Sequence, residues 1–205
     1  MRPSWRMRLA HLVLRYQDRR YMARVEAPAE VRARTERRLT RLFPLRPGMR
    51  QQWGWLRHGD TSVEALWVSG TPVVRDAILL YFHGGAYVMG SPLTHRHLAG
   101  RLSHLTGLRA VLPRYRLAPE HQHPSVLEDC LTAYRGLLQA GYAPERIGLG
   151  GDSAGGGLAL GLLHRLGELG LPRPACAVIF SPWTDMSLSS PSIRENTPHD
   201  VMLPG

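Results

Sequence analysis

Two short glycine-rich runs carry the residues that could do chemistry. Gly151-Asp152-Ser153-Ala154-Gly155 fits the pattern G-x-S-x-G, in which a serine stands between small neighbours. That spacing has a physical meaning where a strand turns sharply into a helix. The backbone folds back on itself, the helix must pass close to the sheet, and Gly151, Gly155, Gly156 and Gly157 leave the room. Ser153 is then raised to a helix N-terminus, whose unpaired amides and positive dipole end favour a developing negative charge. Taken alone, the pentapeptide fits an ordinary glycine-rich helix start equally well. The second run, His83-Gly84-Gly85-Ala86, decides between the readings. It follows an apolar strand directly, and its glycines let backbone N–H groups point at an anion instead of pairing with other backbone. The amides of Gly85 and Ala86, with Gly84 beside them, therefore join that of Ala154 as the expected oxyanion hole, where one donor is typically worth roughly 3 kcal/mol of transition-state stabilisation. His83 and Asp152 read as support for these loops, His83 being a brace rather than a base.

The elements that must hold these runs follow from periodicity. Leu9, Leu12, Val13 and Tyr16 recur at helical spacing, and a second helix opens at Pro28 with Val31, Leu39, Leu42 and Phe43 on one side. Pro44, Pro47 and Gly48 end that pattern. Beyond them come alternating or continuous apolar runs, read as strands at 53–57, 63–68, 77–82, 110–112, 147–149 and 175–180, with helices over 125–139 and 153–169. Strands alternating with helices predict an α/β fold with a mostly parallel sheet covered on both faces and sites at the carboxyl ends of its strands. Both glycine runs fall at such ends. The expected organisation is a basic helical N-terminal or cap segment over 1–50, a core over 51–186, and the start of a cap insertion over 187–205.

Four motifs together, H-G-G-A-Y-V-M-G-S at 83–91, Y-R-L-A-P-E-H at 115–121, G-D-S-A-G-G at 151–156 and S-P-W-T-D at 181–185, resemble the bacterial hormone-sensitive-lipase family of α/β-hydrolases. The resemblance runs from about Gln51 to the last residue. It implies a serine carboxylesterase of short- to medium-chain esters, an acyl-Ser153 intermediate and no metal or organic cofactor. Ala86 replaces the family's glycine, which narrows the acyl side of the loop while keeping its amide.

A serine nucleophile also needs a general base and an acid that orients it, following in the order Ser, Asp or Glu, His. After Ser153 the histidines are His164 and His199 and the carboxylates Glu168, Asp185, Glu195 and Asp200. His164 would lie ~16 Å along the helix that Ser153 opens, too far to take its proton. His199 falls in a stretch resembling the family's cap insertion. In the resembled family the acid and the histidine come after two further strands, so the triad acid and base are expected to be absent and the last strands missing. A fragment of a complete esterase, a truncated inactive product and a relative that binds without turnover all remain open.

Composition bounds the alternatives. Residues 1–50 hold fourteen Arg against Asp18, Glu26, Glu30 and Glu36, whereas twelve Arg and twelve acids balance over 51–205, so the whole formal charge of +10 sits at the N-terminus. Every basic residue is Arg, and phosphate-binding surfaces normally use Lys as well, which argues against nucleic acid. Cys130 and Cys176 form no C-x-x-C pair and read as reduced thiols, not a metal or redox site. The N-terminus lacks a sustained apolar core and cleavage site, so a cytoplasmic protein without stable membrane insertion is expected. Its partner would be a small-molecule ester, and a homodimer is the assembly left open.

Overall fold

The computed structural model describes residues 4–5, 28–70, 73 and 76–196. They fall in two units, one of residues 28–184 and one of 1–27 with 185–205. The expected helix around residues 9–16 and His199 lie outside the described residues.

The larger unit begins with α1 (Pro28–Leu42), opened by a proline suited to a first helical position, with Glu30 in the first turn and Arg41 in the last, each favourable to the helix dipole. Its half-buried side carries Val31, Arg32, Thr35, Leu39 and Thr40. Leu42 and Phe43, expected on that side, are exposed, because the helix ends there. Two antiparallel strands follow, β1 (Arg50–His58) and β2 (Thr61–Ser69), joined by a tight turn in which Gly59 takes φ +55°. Then come β3 (Ile78–Phe82), α2 (Pro92–Thr106), β4 (Arg109–Pro113), α3 (Ser125–Gln139), β5 (Ile147–Asp152), α4 (Ala154–Glu168) and β6 (Cys176–Phe180).

The sheet runs β1-β2-β4-β3-β5-β6. Its β4-β3-β5-β6 portion is parallel, and β2 joins it antiparallel to β4. The expected mostly parallel α/β sheet is therefore observed, with an antiparallel hairpin at one side. Strand alternation divides its two faces. Ile78, Leu80, Phe82, Val111, Ile147 and Leu149 bury one face under α3 and α4, packed with Ala133, Leu137, Ala159 and Leu162. Leu79, Tyr81, Ala110 and Leu112 bury the other with Leu66, Val68 and Ala99 of α2. α2 also packs against α1.

The sequence periodicity did not announce α2. Its buried residues are Pro92, Ala99, Gly100 and Ser103, small side chains that let the helix lie close to the sheet without an apolar stripe. What starts it is a capping box: Ser91 Oγ accepts the Thr94 amide at 3.2 Å and Thr94 Oγ1 accepts the Ser91 amide at 3.0 Å. In the second unit, the described residues include the short helix α5 (Pro191–Asn196).

Candidate active site

Parallel pairing of β3 with β5 aligns Phe82 with Gly151, so both glycine runs leave the sheet side by side at the carboxyl ends of neighbouring strands. Close approach there requires glycine. A Cβ on Gly155 would strike the carbonyls of Phe82 and His83, and one on Gly151 would strike the carbonyl of Gly155.

Ser153 stands at the turn with φ 52° and ψ −120°, a conformation in which L-residues are strained, typically by about 1–3 kcal/mol. Three backbone bonds hold it: its N–H donates to Phe180 O at 2.9 Å, and its carbonyl accepts from Trp183 N at 2.9 Å and Gly157 N at 3.1 Å. The hydroxyl makes no capping bond to the helix it precedes, which leaves Oγ available. At the start of α4, Ala154 presents a buried amide without a backbone partner among the described residues.

The loop after β3 turns back on itself, its Gly85 carbonyl accepting from Val88 N at 3.1 Å and Met89 N at 2.8 Å. Gly85, Ala86 and Tyr87 take φ +132°, +53° and +62°. The amides of Gly85 and Ala86 donate no backbone bond among the described residues. At Ala86 the left-handed backbone is the physical reason a glycine is natural in that place. Gly84 departs from the sequence expectation. Its N–H donates to Asp152 Oδ1 at 3.1 Å, so that amide is committed to the loop's own support.

Asp152 ties the two runs together. Oδ1 also accepts the Tyr81 hydroxyl at 2.9 Å, and Oδ2 lies 3.4 Å from His95 Nε2. Burial opposes its ionisation, but the bonds from His95, Tyr81 and the Gly84 amide outweigh burial and hold the carboxyl below its usual range. His83 is almost wholly buried, stacked on Tyr115 with ring centroids 4.2 Å apart. Its Nδ1 lies 2.9 Å from Gly84 O, which can only accept, so Nδ1 carries the ring proton. Burial, reinforced by nearby His95, pushes His83 down to about 3, against weaker opposition from the Gly84 carbonyl and Asp152. A neutral, buried imidazole of this kind braces a loop. Tyr115 completes the brace, its hydroxyl donating to His83 O at 2.6 Å. The opening of the Y-R-L-A-P-E-H segment, a motif whose sequence yields no chemistry and reads only as packing the loop behind the oxyanion strand, thus meets that loop at His83.

The histidine and carboxylate weighed after Ser153 have other partners. His164 is exposed on α4, with Nε2 3.4 Å from Glu168 Oε1. Asp185 binds its own loop, accepting from Ser187 N at 2.9 Å and Ser187 Oγ at 2.6 Å. Tyr81 and His95 are the supporting residues that sequence reasoning missed, and Tyr115 was not singled out within its motif. Among the described residues no cluster of His, Cys, Asp and Glu is arranged to hold a metal ion, and no helix is long and apolar enough to cross a membrane.

Comparison with known proteins agrees with this geometry. A family model described as the alpha/beta hydrolase fold matches residues 79–204. The chain is 43% identical over 125 residues to an acetyl-hydrolase of Streptomyces hygroscopicus, covering 61% of this chain and 42% of that protein. It is 33% identical over 169 residues to an esterase of Acinetobacter venetianus, covering 80% and 53%. The crystal structure of an esterase from the bacterial hormone-sensitive lipase family superposes with a TM-score of 0.87 at 35% identity, covering all of this chain and 66% of that one. The chain thus spans about half the length of these two curated relatives. With the family match, the parallel sheet and the strained serine turn agreeing, the chain belongs to the α/β-hydrolase fold family and is similar within it to the hormone-sensitive-lipase-type esterases.

Proposed function

We propose that the chain carries the nucleophile and oxyanion-binding half of a serine carboxylesterase acting on short- to medium-chain esters. The observation that supports this best is the pairing of an uncapped, strained Ser153 with unpaired amides at Gly85, Ala86 and Ala154. In this reading Ser153 Oγ attacks the acyl carbon and its proton passes to a base. The carbonyl oxygen, now an anion, takes hydrogen bonds from the Gly85, Ala86 and Ala154 amides. The C–O bond to the alcohol then breaks, the alcohol leaves with a proton, and water hydrolyses the acyl-Ser153 ester. His83, Asp152 and Gly84 support the loops without touching substrate, and no metal or organic cofactor takes part.

The partner is a small-molecule ester rather than nucleic acid, a cytoplasmic location suits two free cysteines, and a homodimer is the assembly to test.

A second reading, binding without turnover by this 205-residue chain, is favoured by His164 being committed to Glu168 on an exposed helix face. An oxyanion hole without a base retains only a residual part of triad catalysis. Hydrolysis of an activated acetate ester by the wild type and Ser153→Ala separates the two. A rate near the typical ~10 s⁻¹, abolished in the variant, supports full catalysis by this chain. Slow hydrolysis that still depends on Ser153 supports the second reading, and hydrolysis indifferent to Ser153 rejects the serine mechanism.

A further inference from the structure

Arg32 of α1 reaches two loops that sequence places far from it. Its Nε donates to the carbonyl of Val88 at 2.7 Å, and its Nη2 donates to the carbonyl of Ala118. Nη1 and Nη2 grip the Glu120 carboxylate at 2.9 and 2.7 Å. Val88 ends the turn whose amides face the proposed oxyanion, and Ala118 in turn donates its N–H to the carbonyl of Tyr87 at 2.9 Å. The bond to Arg32 holds the Glu120 carboxyl below its ordinary range.

These contacts answer a problem of backbone strain. Ala86 and Tyr87 are consecutive non-glycine residues in the left-handed region, a conformation that persists only when its surroundings over-determine it. For the Gly85 and Ala86 amides to stay unpaired, the carbonyls around them must be fixed from outside. Tyr87 O is held by Ala118 N–H, Val88 O by Arg32, and Ala118 itself by Arg32. Only a planar guanidinium supplies donors in fixed directions to three acceptors at once, and a lysine ammonium cannot span them.

We propose that Arg32 is a positioning residue: seated on α1, it locks the Gly85–Val88 turn and so keeps the oxyanion amides in place. The site is then competent only when α1 is docked. This rests on the esterase reading of Ser153, and the test separates the two.

The experiment uses the 205-residue chain and its Arg32→Ala, Arg32→Lys, Glu120→Gln and Ser153→Ala variants. Amide hydrogen exchange at Val88 and Met89 reports the turn directly. Binding of phenylboronic acid, followed by the boron resonance as it becomes tetrahedral, reports the site. The serine oxygen forms a bond to boron and releases its proton, and a boron-bound oxygen then occupies the oxyanion position. Arg32→Ala is expected to speed exchange and weaken boronate binding, each on the order of tenfold. Arg32→Lys should not rescue, Glu120→Gln should leave both near wild type, and added ethylguanidinium should restore Arg32→Ala. If Arg32→Ala does not melt cooperatively, the comparison is made with Arg32→Lys. Unchanged exchange, full rescue by lysine, or a loosened turn with unchanged boronate affinity would overturn the proposal. Equal boronate binding by wild type and Ser153→Ala would reject the serine reading instead, and the exchange measurement would still decide whether Arg32 holds the turn.

Discussion

The amide of Gly84 donates to Asp152 Oδ1 at 3.1 Å, which joins the residue opening the glycine loop to the residue preceding the nucleophile. Because Tyr81 and His95 converge on the same carboxylate, its removal strands three polar groups at once. Asp152→Ala leaves the Tyr81 hydroxyl and Gly84 amide without their acceptor and is expected to cost about 2–4 kcal/mol. Asp152→Asn keeps one oxygen as an acceptor and should cost less than half of that. Thermal melting checks both, since 1 kcal/mol moves Tm by about 2–4 °C in a chain of this size. Equal losses in the two variants would mean that the charge facing His95, not the acceptor, is what matters.

His83 gives the fold a pH dependence of definite sign. Burial lowers its folded value from 6.5 to about 3, so the unfolded chain binds the extra proton between those limits. The stabilisation is complete above the unfolded value and is lost as pH falls from 6.5 towards 3. His83→Asn retains a donor for the Gly84 carbonyl but cannot titrate there. Urea midpoints measured from pH 7.5 to 4.5 should fall steadily in the wild type and more shallowly in His83→Asn. Parallel curves would show that groups other than His83 carry the acid sensitivity in this range.

The strands and both glycine turns were legible because each states its requirement locally. The run Ile78–Phe82 is apolar at every position and buried at every position, and the turns at Gly151 and Gly84 need small residues where small residues stand. His83 and Asp152 were legible as loop supports, but the side chains that hold them were not. Tyr81, His95 and Tyr115 meet around His83 and Asp152 only because the sheet order sets β4, β3 and β5 side by side, and Arg32 meets Val88 only because α1 packs on α2. No pattern within ten residues of any of them expresses that meeting. Helix α2 escaped for a different reason, since small residues at its buried positions erase the apolar period, although its Ser91–Thr94 capping box was present to be read. The loss of Gly84 as an oxyanion donor likewise depended on where the Asp152 side chain points.

Two glycines of α4 are predicted to respond in opposite directions. Gly155 lies where a Cβ would meet the backbone of Phe82 and His83, so Gly155→Ala must push the helix away from β3 and lower Tm substantially. Gly161, on the same helix, has only Leu127 Cδ1 at 3.5 Å, an ordinary contact. Gly161→Ala should stabilise by about 0.5–1 kcal/mol through reduced backbone entropy in the unfolded chain. The pair of melts tests whether close helix–strand approach at the serine turn, rather than glycine content as such, sets stability. A stabilising Gly155→Ala would contradict the geometry.

The last prediction concerns β6. It pairs with β5 along Cys176–Phe180 and stands at the end of the sheet, so its other side presents N–H and C=O groups without a ladder partner among the described residues. The strand carries none of the features that blunt an edge, having neither charge nor proline in Cys-Ala-Val-Ile-Phe. Val178 and Phe180 are 49% and 42% exposed, on the face towards which Cys176 also points. An apolar, β-prone edge of this kind is a template for pairing with another copy. The 205-residue chain is therefore expected to self-associate with rising concentration, by strand pairing and not by oxidation, so the effect should persist in reductant despite the exposed thiol of Cys176. Val178→Lys places a charge on the exposed face of the edge and should shift the population towards monomer without lowering Tm by more than a few degrees, because the side chain it replaces is already half in water. Size-exclusion chromatography with light scattering over a concentration series makes the comparison. A wild-type chain that stays monomeric throughout, or a Val178→Lys chain that associates as strongly, would show that the β6 edge is already covered.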